Sequence, residues 1–101
     1  MLDNRIIDRS YGFMGSLNEY EKAKVVILGV PLEATLSFRP GTRFGPQQIR
    51  QVSVGLEEYS LYRNRELNEV CFFDAGDVSL PFGNLDESLR LIEQAASQLV
   101  L

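Results

Sequence analysis

The sequence predicts an α/β fold in which two parallel strands alternate with two helices. Two apolar runs, at residues 25–28 and 70–73, have the composition of strands buried on both faces of a parallel sheet. Each run is followed by turn residues and then by apolar residues at helical spacing. A right-handed crossover between two such strands places them parallel, so the predicted order is β-α-β-α.

The loop after the first strand is the first candidate site. The helix that follows is predicted to begin at Gly45-Pro46, because proline at the first helical position loses no hydrogen bond. Loops at the carboxyl ends of strands bind ligands in open α/β sheets. Three residues are therefore pocket-rim candidates: Ser37, Arg39 and Arg43. The two arginines are candidates for binding a substrate carboxylate, for pairing with acidic neighbours, for bracing the loop, or for contacting a neighbouring subunit.

The first helix is predicted over residues 46–59. Its apolar residues recur three and four positions apart and form one stripe: Ile49, Val52, Leu56 and Tyr59. Gly55 within this helix costs about 1 kcal/mol relative to alanine, which indicates a close contact between helix and strand. Residues 60–69 are polar and form a predicted link.

The second strand is predicted to end at the run Asp74-Ala75-Gly76-Asp77. Asp74 and Asp77 are strand-end candidates, because paired carboxylates can bind a metal or transfer protons. The competing interpretation is structural: Gly76 makes a turn, and aspartates accept hydrogen bonds from turn amides. Cys71 lies between apolar neighbours and is predicted to be an inert packing group.

The last helix is predicted from a capping box formed by Asn84 and Glu87. Five apolar residues are predicted to face the core: Leu85, Leu89, Ile92, Ala96 and Leu99. Two strands and two helices are too few to cover a parallel sheet. We therefore expect residues 24–101 to be a partial α/β domain, truncated at the carboxyl end, preceded by an irregular segment at residues 1–23.

Composition excludes several classes of function. The net charge of −4 argues against nucleic acid and anionic membranes as partners. The longest apolar run, at residues 25–32, is too short to span a membrane, and no signal peptide is visible. A single cysteine fits a reducing compartment, so a cytoplasmic location is expected. The absence of histidine removes histidine catalysis and most transition-metal sites from this chain.

Residues 29–60, GVPLEATLSFRPGTRFGPQQIRQVSVGLEEYS, and residues 72–84, FFDAGDVSLPFGN, resemble the amino-terminal part of the arginase–agmatinase (ureohydrolase) family. The S-x-R-P-G form favours the agmatinase branch. The resemblance implies the amino-terminal β-α-β-α part of a three-layer, parallel-sheet, arginase-like fold. It also implies hydrolysis of a guanidino group, agmatine to putrescine and urea, by a water bound to two manganese ions in a homo-oligomer.

The family's metal ligands come from three motifs that this sequence lacks: Gly-Gly-Asp/Glu-His, Asp-Ala-His-x-Asp and Ser-x-Asp-x-Asp. We therefore expect no catalytic and no metal-binding residue here, with manganese held only by the full-length protein and the isolated chain inactive. Two alternatives stay open. One is a non-catalytic α/β fragment or association module. The other is a ureohydrolase for a different guanidino or formimidoyl substrate.

Overall fold

The computed structural model describes residues 5–9, 12–17, 19–33, 41–56 and 59–99. The described strands are β1 Ile7–Asp8, β2 Val25–Gly29, β3 Tyr59–Ser60, β4 Arg65–Glu66 and β5 Phe72–Val78. The described α-helices are α1 Gly45–Ser53 and α2 Leu85–Leu99. Short 3-10 helices lie at Tyr20–Lys22, Thr42–Phe44 and Leu67–Glu69.

The strands of the main sheet stand in the order β1-β5-β2. β2 and β5 pair in parallel, which confirms the predicted arrangement of the two apolar runs. β1 pairs antiparallel with the other side of β5, so the sheet is mixed. A two-residue strand leaves no alternation to detect, and the sequence did not predict it. β3 and β4 form a separate antiparallel hairpin. It includes Tyr59, which was wrongly predicted to end the first helix, and part of the predicted polar link.

β5 contains a bulge. Ile27 of β2 pairs with Asp74, and the next residue of β2, Leu28, pairs with Gly76, so Ala75 is an extra residue. Gly76 has a φ of +98°, and a Cβ there would lie 2.2 Å from the Asp8 carbonyl oxygen, so only glycine fits. Successive side chains of a regular strand alternate between faces. The extra residue cancels one alternation and brings Asp74 and Asp77 to the same face of the sheet.

The predicted end of the second strand at Asp74 was wrong, because β5 runs from Phe72 to Val78. The run Asp-Ala-Gly-Asp has the composition of a turn, but here the glycine makes a bulge within the strand. The predicted start was also early by two residues, since Val70 caps the 3-10 helix Leu67–Glu69.

α1 is shorter than predicted and ends at Ser53, before Gly55. The expected contact between Gly55 and a strand was wrong, since the nearest atom to a Cβ there is the Val52 carbonyl oxygen at 3.6 Å. The apolar stripe is also exposed: Ile49 and Val52 keep 59% and 53% of their accessible surface. The side of α1 that is buried carries Arg50 and Ser53 instead.

α2 begins as predicted, with the Glu87 N–H donating to Asn84 Oδ1 at 3.1 Å. Its predicted core face was wrong. Ser88 and Ala95 are buried, whereas Leu85 and Leu89 are exposed. The described sheet thus packs on the small residues of α2, and much of the apolar stripe lies outside that contact.

The core lies between α2 and the sheet. Its buried residues come from the amino-terminal segment, β5 and α2: Ile6, Ile7, Val78 and Ala95. α1 covers the opposite face, the one to which Asp74 and Asp77 point. Among the described helices, none has the length and apolar character needed to cross a membrane.

Candidate functional site

Arg50 joins the two aspartates of the bulge. Its Nε donates to Asp74 Oδ2 at 2.7 Å and its Nη2 to Asp74 Oδ1 at 2.9 Å, a bidentate pair. Its Nη1 donates to Asp77 Oδ1 at 2.6 Å. The side chain of Arg50 is 6% exposed, that of Asp74 is 0% exposed and that of Asp77 is 15% exposed. One guanidinium therefore ties together the residues on either side of the bulge, largely out of water.

The carboxylate of Asp74 is fully engaged. Besides Arg50, the Phe13 N–H donates to Oδ2 at 2.7 Å and the Gly76 N–H to Oδ1 at 3.0 Å. An ionised carboxylate offers about four acceptor positions, and all of them are used here. The Asp74 N–H also donates to Ser16 Oγ at 2.9 Å. Asp74 has no acceptor position left with which to bind a metal ion.

Residues 12–17 cover this ion pair. The Met14 N–H donates to Ser53 Oγ at 3.0 Å, and the Ser53 hydroxyl donates to the Arg50 carbonyl oxygen at 2.6 Å. The Phe13 ring meets the Phe72 ring edge-on, with centroids 6.0 Å apart. The amino-terminal segment thus closes the space between α1 and β5 and keeps water from the ion pair.

The protonation of the pair follows from these contacts. Burial acts to raise the pKa of Asp74, but the hydrogen bonds from Arg50, Phe13 and Gly76 outweigh it, and that pKa lies below its usual range. The hydrogen bond with Asp74 raises the pKa of Arg50 above its usual value, against the effect of burial. Both groups are therefore charged at neutral pH.

Gly29 allows the ion pair to form. A Cβ on Gly29 would lie 1.8 Å from Asp77 Oδ1 and 3.0 Å from Pro46 Cβ. A side chain at this position would therefore occupy the space that Asp77 uses to reach Arg50. The close approach of β2, β5 and α1 requires glycine here.

Arg43, one of the predicted rim residues, is paired with Glu33 by an ion pair and a hydrogen bond. The Gly41 N–H also donates to the Glu33 carboxylate, and the Thr42 hydroxyl donates to the Leu32 carbonyl oxygen at 3.0 Å. Burial acts to raise the pKa of Glu33, but the hydrogen bonds from Gly41 and Arg43, with the charge of Arg43, leave it below its usual range. These contacts hold residues 32–33 next to residues 41–43.

The guanidinium of Arg43 also contacts aromatic rings from two loops. Its central carbon lies 4.5 Å from the centroid of the Phe44 ring and 5.7 Å from that of the Phe82 ring. Phe82 belongs to the connection between β5 and α2, so Arg43 links that connection to the one after β2. The other two rim candidates, Ser37 and Arg39, lie outside the described residues.

A cleft of about 310 Å³ lies at the carboxyl ends of β2 and β5. It is open to solvent and is lined by nine described residues: Asp8, Pro31, Arg43, Phe44, Gln47, Asp77, Val78, Ser79 and Leu80. Two of the predicted candidates, Arg43 and Asp77, therefore meet at one cleft. Asp74 does not line this cleft and lies beneath α1.

The described residues do not fit a metal centre. Among them, no group of three or more His, Cys, Asp or Glu side chains is placed to hold a metal ion. The sequence supplies no histidine, and Asp74 is saturated by hydrogen bonds. No step of a metal-dependent reaction can be assigned to these side chains.

Arg50 was not among the residues singled out from the sequence. A glycine between two aspartates in an apolar run could have identified it. Such a glycine predicts a bulge, a bulge places both carboxylates on one face, and two buried carboxylates need a cation from the covering helix. Arg50 is the only arginine or lysine within α1.

The fold is that of an α/β protein with a cleft at the carboxyl ends of its two parallel strands, the edge at which open α/β sheets commonly bind ligands. Comparison with known proteins narrows the class. The family model described as "Arginase family" matches residues 23–101, and the chain belongs to the arginase family.

The relatives share most of this chain, but the chain spans only about 30% of their length. It is 57% identical to the agmatinase of Bacillus cereus over 88 aligned residues, and this alignment covers 87% of this chain and 30% of that protein. It is 35% identical over 83 residues to the N(1)-aminopropylagmatine ureohydrolase of Thermococcus kodakarensis, which covers 82% and 29%.

The fold comparison agrees. The crystal structure of the agmatine ureohydrolase of Thermoplasma volcanium matches with a TM-score of 0.77 and 28% identity, covering 87% of this chain and 30% of that one. The predicted arginase-like α/β fold and the predicted family are therefore confirmed.

Proposed function

We propose that the protein carrying this chain is a ureohydrolase that cleaves the guanidino group of agmatine to putrescine and urea. The observation that carries the proposal is the 57% identity to the Bacillus cereus agmatinase over 87% of this chain. Three further relatives named agmatinase, from Bacillus and Halalkalibacterium, are 50–56% identical over 88 residues. The proposal also takes the protein to be a cytoplasmic homo-oligomer that supplies putrescine to polyamine synthesis.

The reaction replaces a C–N bond of the guanidino carbon by a bond to water oxygen and releases an amine. The family resemblance implies two manganese ions for this chemistry. Since the described residues do not fit such a centre, we place its ligands outside this chain. In this proposal, this chain forms one wall of the cleft at the carboxyl ends of β2 and β5, which we call the carboxyl-edge cleft. The Glu33–Arg43 ion pair holds the connection after β2 in that wall.

A second candidate substrate is a guanidino compound with a longer amine tail. The relative from Thermococcus kodakarensis, which is 35% identical to this chain, is named an N(1)-aminopropylagmatine ureohydrolase. This name supports such a compound as the second candidate substrate. It differs from agmatine at the amine end, away from the carbon that reacts. Discrimination between the two substrates must therefore come from residues that contact or shape the space around that tail.

The test is a urea assay of the full-length, manganese-loaded protein. Agmatine, N(1)-aminopropylagmatine and arginine are compared at equal concentrations. The proposal expects kcat/KM for agmatine to exceed that for each of the other two by at least tenfold. A preference for N(1)-aminopropylagmatine would select the second candidate. Absence of urea from all three, with manganese bound, would overturn both.

A further inference from the structure

At the carboxyl end of β5, Asp77 pairs with strands on both sides, and Arg50 adds a contact from the helix above. The parallel pairing with β2 ends at the pair Gly29 and Asp77. On the other side, the two residues of β1 pair with Asp77 and Val78, and the Ser79 N–H donates to the Ile6 carbonyl oxygen at 2.8 Å. The bond from Arg50 Nη1 to Asp77 Oδ1 thus lies where β5 loses its longer neighbour.

This end of β5 leads directly into the cleft. Asp77 and the following residues 78–80 line it, and the same connection carries Phe82 to the Arg43 guanidinium. On the other side of the cleft, Pro31 follows β2 and Phe44 precedes α1. The position of Asp77 therefore helps to set the distance between the two walls.

We infer that Arg50 is a positioning residue for the proposed reaction: by holding the Asp77 side chain from α1, it helps to fix the end of β5 and so the width of the carboxyl-edge cleft. This inference rests on the proposed function. Arg50 itself does not line the cleft of about 310 Å³, so its effect on a substrate is transmitted through Asp77.

The chemistry of the contact requires arginine. The guanidinium presents donors in a rigid fork, and three of its nitrogens are used here, two on Asp74 and one on Asp77. A lysine ammonium is a single point charge and cannot maintain the bidentate contact to one carboxylate while reaching the other in the same geometry. Arg50→Lys keeps the positive charge but is expected to lose the fixed position of Asp77.

The first test uses substrate selectivity. Arg50→Lys and Asp77→Asn are made in the full-length protein, with Arg90→Gln as the control. Arg90 is an exposed α2 residue that pairs with Glu87. We expect both test variants to change the ratio of kcat/KM for agmatine to that for N(1)-aminopropylagmatine by at least threefold, and the control to leave it unchanged. A purely stabilising role would lower Tm without moving this ratio.

The second test does not depend on activity. Amide hydrogen exchange of residues 79–84 is measured in the same variants. We expect these amides to exchange at least tenfold faster in Asp77→Asn and Arg50→Lys than in the native protein, and at the native rate in Arg90→Gln. Unchanged exchange in Arg50→Lys overturns the inference, as does faster exchange with an unchanged selectivity ratio. If the wild-type protein releases no urea, the proposed function fails and the exchange result alone decides whether Arg50 fixes the end of β5.

Discussion

Replacing Gly29 by alanine tests the closest approach in the structure. The new methyl carbon would lie 1.8 Å from Asp77 Oδ1 and 2.9 Å from Asp77 Cγ. Non-bonded heavy atoms of this kind come no closer than about 3 Å, so the carboxylate must withdraw by roughly 1 Å or more. The bond from Arg50 Nη1, which is 2.6 Å in the native chain, then exceeds hydrogen-bond length.

The cost follows from what is lost and what remains. A hydrogen bond to a charged group is worth about 1.5–3 kcal/mol. The full loss of a buried ion pair would cost about 3–5 kcal/mol. Because Arg50 keeps its bidentate contact with Asp74, the expected cost is that of the one charged hydrogen bond to Asp77. We expect Gly29→Ala to destabilise the β2–β5 pairing by about 2–3 kcal/mol, which is about a 30- to 150-fold loss of protection.

The assay is native-state amide exchange in β2 and β5, which reports the local free energy of opening. Gly45→Ala is the matched control. Gly45 has a φ of −56°, and a Cβ there would meet no atom of the described residues within 4 Å apart from its chain neighbours and its own helix. Alanine at such a position is expected to stabilise by about 0.4–1 kcal/mol through the unfolded chain. Protection in Gly29→Ala within threefold of the native protein would refute the reasoning.

Four further predictions concern acid, capping, metal and association. The pKa of Asp74 in the folded chain lies below its value in the unfolded chain, so ionised Asp74 stabilises the fold fully above the unfolded pKa of about 3.9, and this stabilisation is lost as the pH falls towards the folded pKa. Urea unfolding between neutral and acid pH should show this loss of stability. Asp74→Asn should remove the part of the pH dependence that comes from Asp74. Asn84→Ala should cost about 1 kcal/mol and speed exchange in the first turn of α2, since it deletes the acceptor for the Glu87 N–H, while no change there would contradict the cap. The 101-residue chain alone should neither retain manganese through gel filtration nor release urea from agmatine, and stoichiometric metal with turnover would disprove our placement of the metal site. The exposed apolar residues of α1 and α2, among them Ile49 and Leu89, should make the isolated chain self-associate or leave it marginally stable, and a concentration-independent monomer with a sharp thermal transition would argue against this.

The strands were predictable because short apolar runs bounded by turn residues, such as residues 25–28, are typical of strands in a covered sheet. In the described chain β2 is covered only in part, since Val25 and Ile27 keep 50% and 37% of their accessible surface. The parallel pairing of the strands then follows from the helix between them. The N-terminal cap of α2 was also predictable, because the Asn84–Glu87 spacing is local. In each case the deciding interaction lies within a few residues or within one repeated pattern.

The faces of the helices could not be predicted from periodicity. Ile49 and Leu89 belong to regular apolar stripes, yet both are exposed in the described chain. What α1 buries is Arg50, because the partner across the interface is a pair of carboxylates 24 and 27 residues away. A pattern on one element carries no information about the charge on the element that it covers.

Two of the candidate site residues lie together in the structure, and their roles stay predictions. Arg43 and Asp77 do meet at a cleft, as their positions after parallel strands suggested. Asp74 and Asp77 were grouped because both follow the second apolar run, and the bulge does place both carboxylates on the α1 face of the sheet, where Arg50 binds them. Asp77 also lines the cleft, whereas Asp74 does not. Pairing of the two arginines with acidic neighbours was one of their predicted roles. Glu33 was not identified as the partner of Arg43, because residues ten apart on either side of a loop follow no periodic rule.

The extra residue at Ala75 also affects how relatives should be aligned. In a regular strand, two residues separated by a single position lie on the same face. A sequence reading Asp-x-Asp without the bulge would therefore present both carboxylates to α1, just as Asp-x-x-Asp does with it. In an alignment, a one-residue deletion between these aspartates in a relative would therefore mark the loss of the bulge, with both partners of Arg50 still in place. We expect relatives with this deletion to lack the glycine as well, because a strand without the bulge does not need the left-handed backbone that Gly76 adopts here.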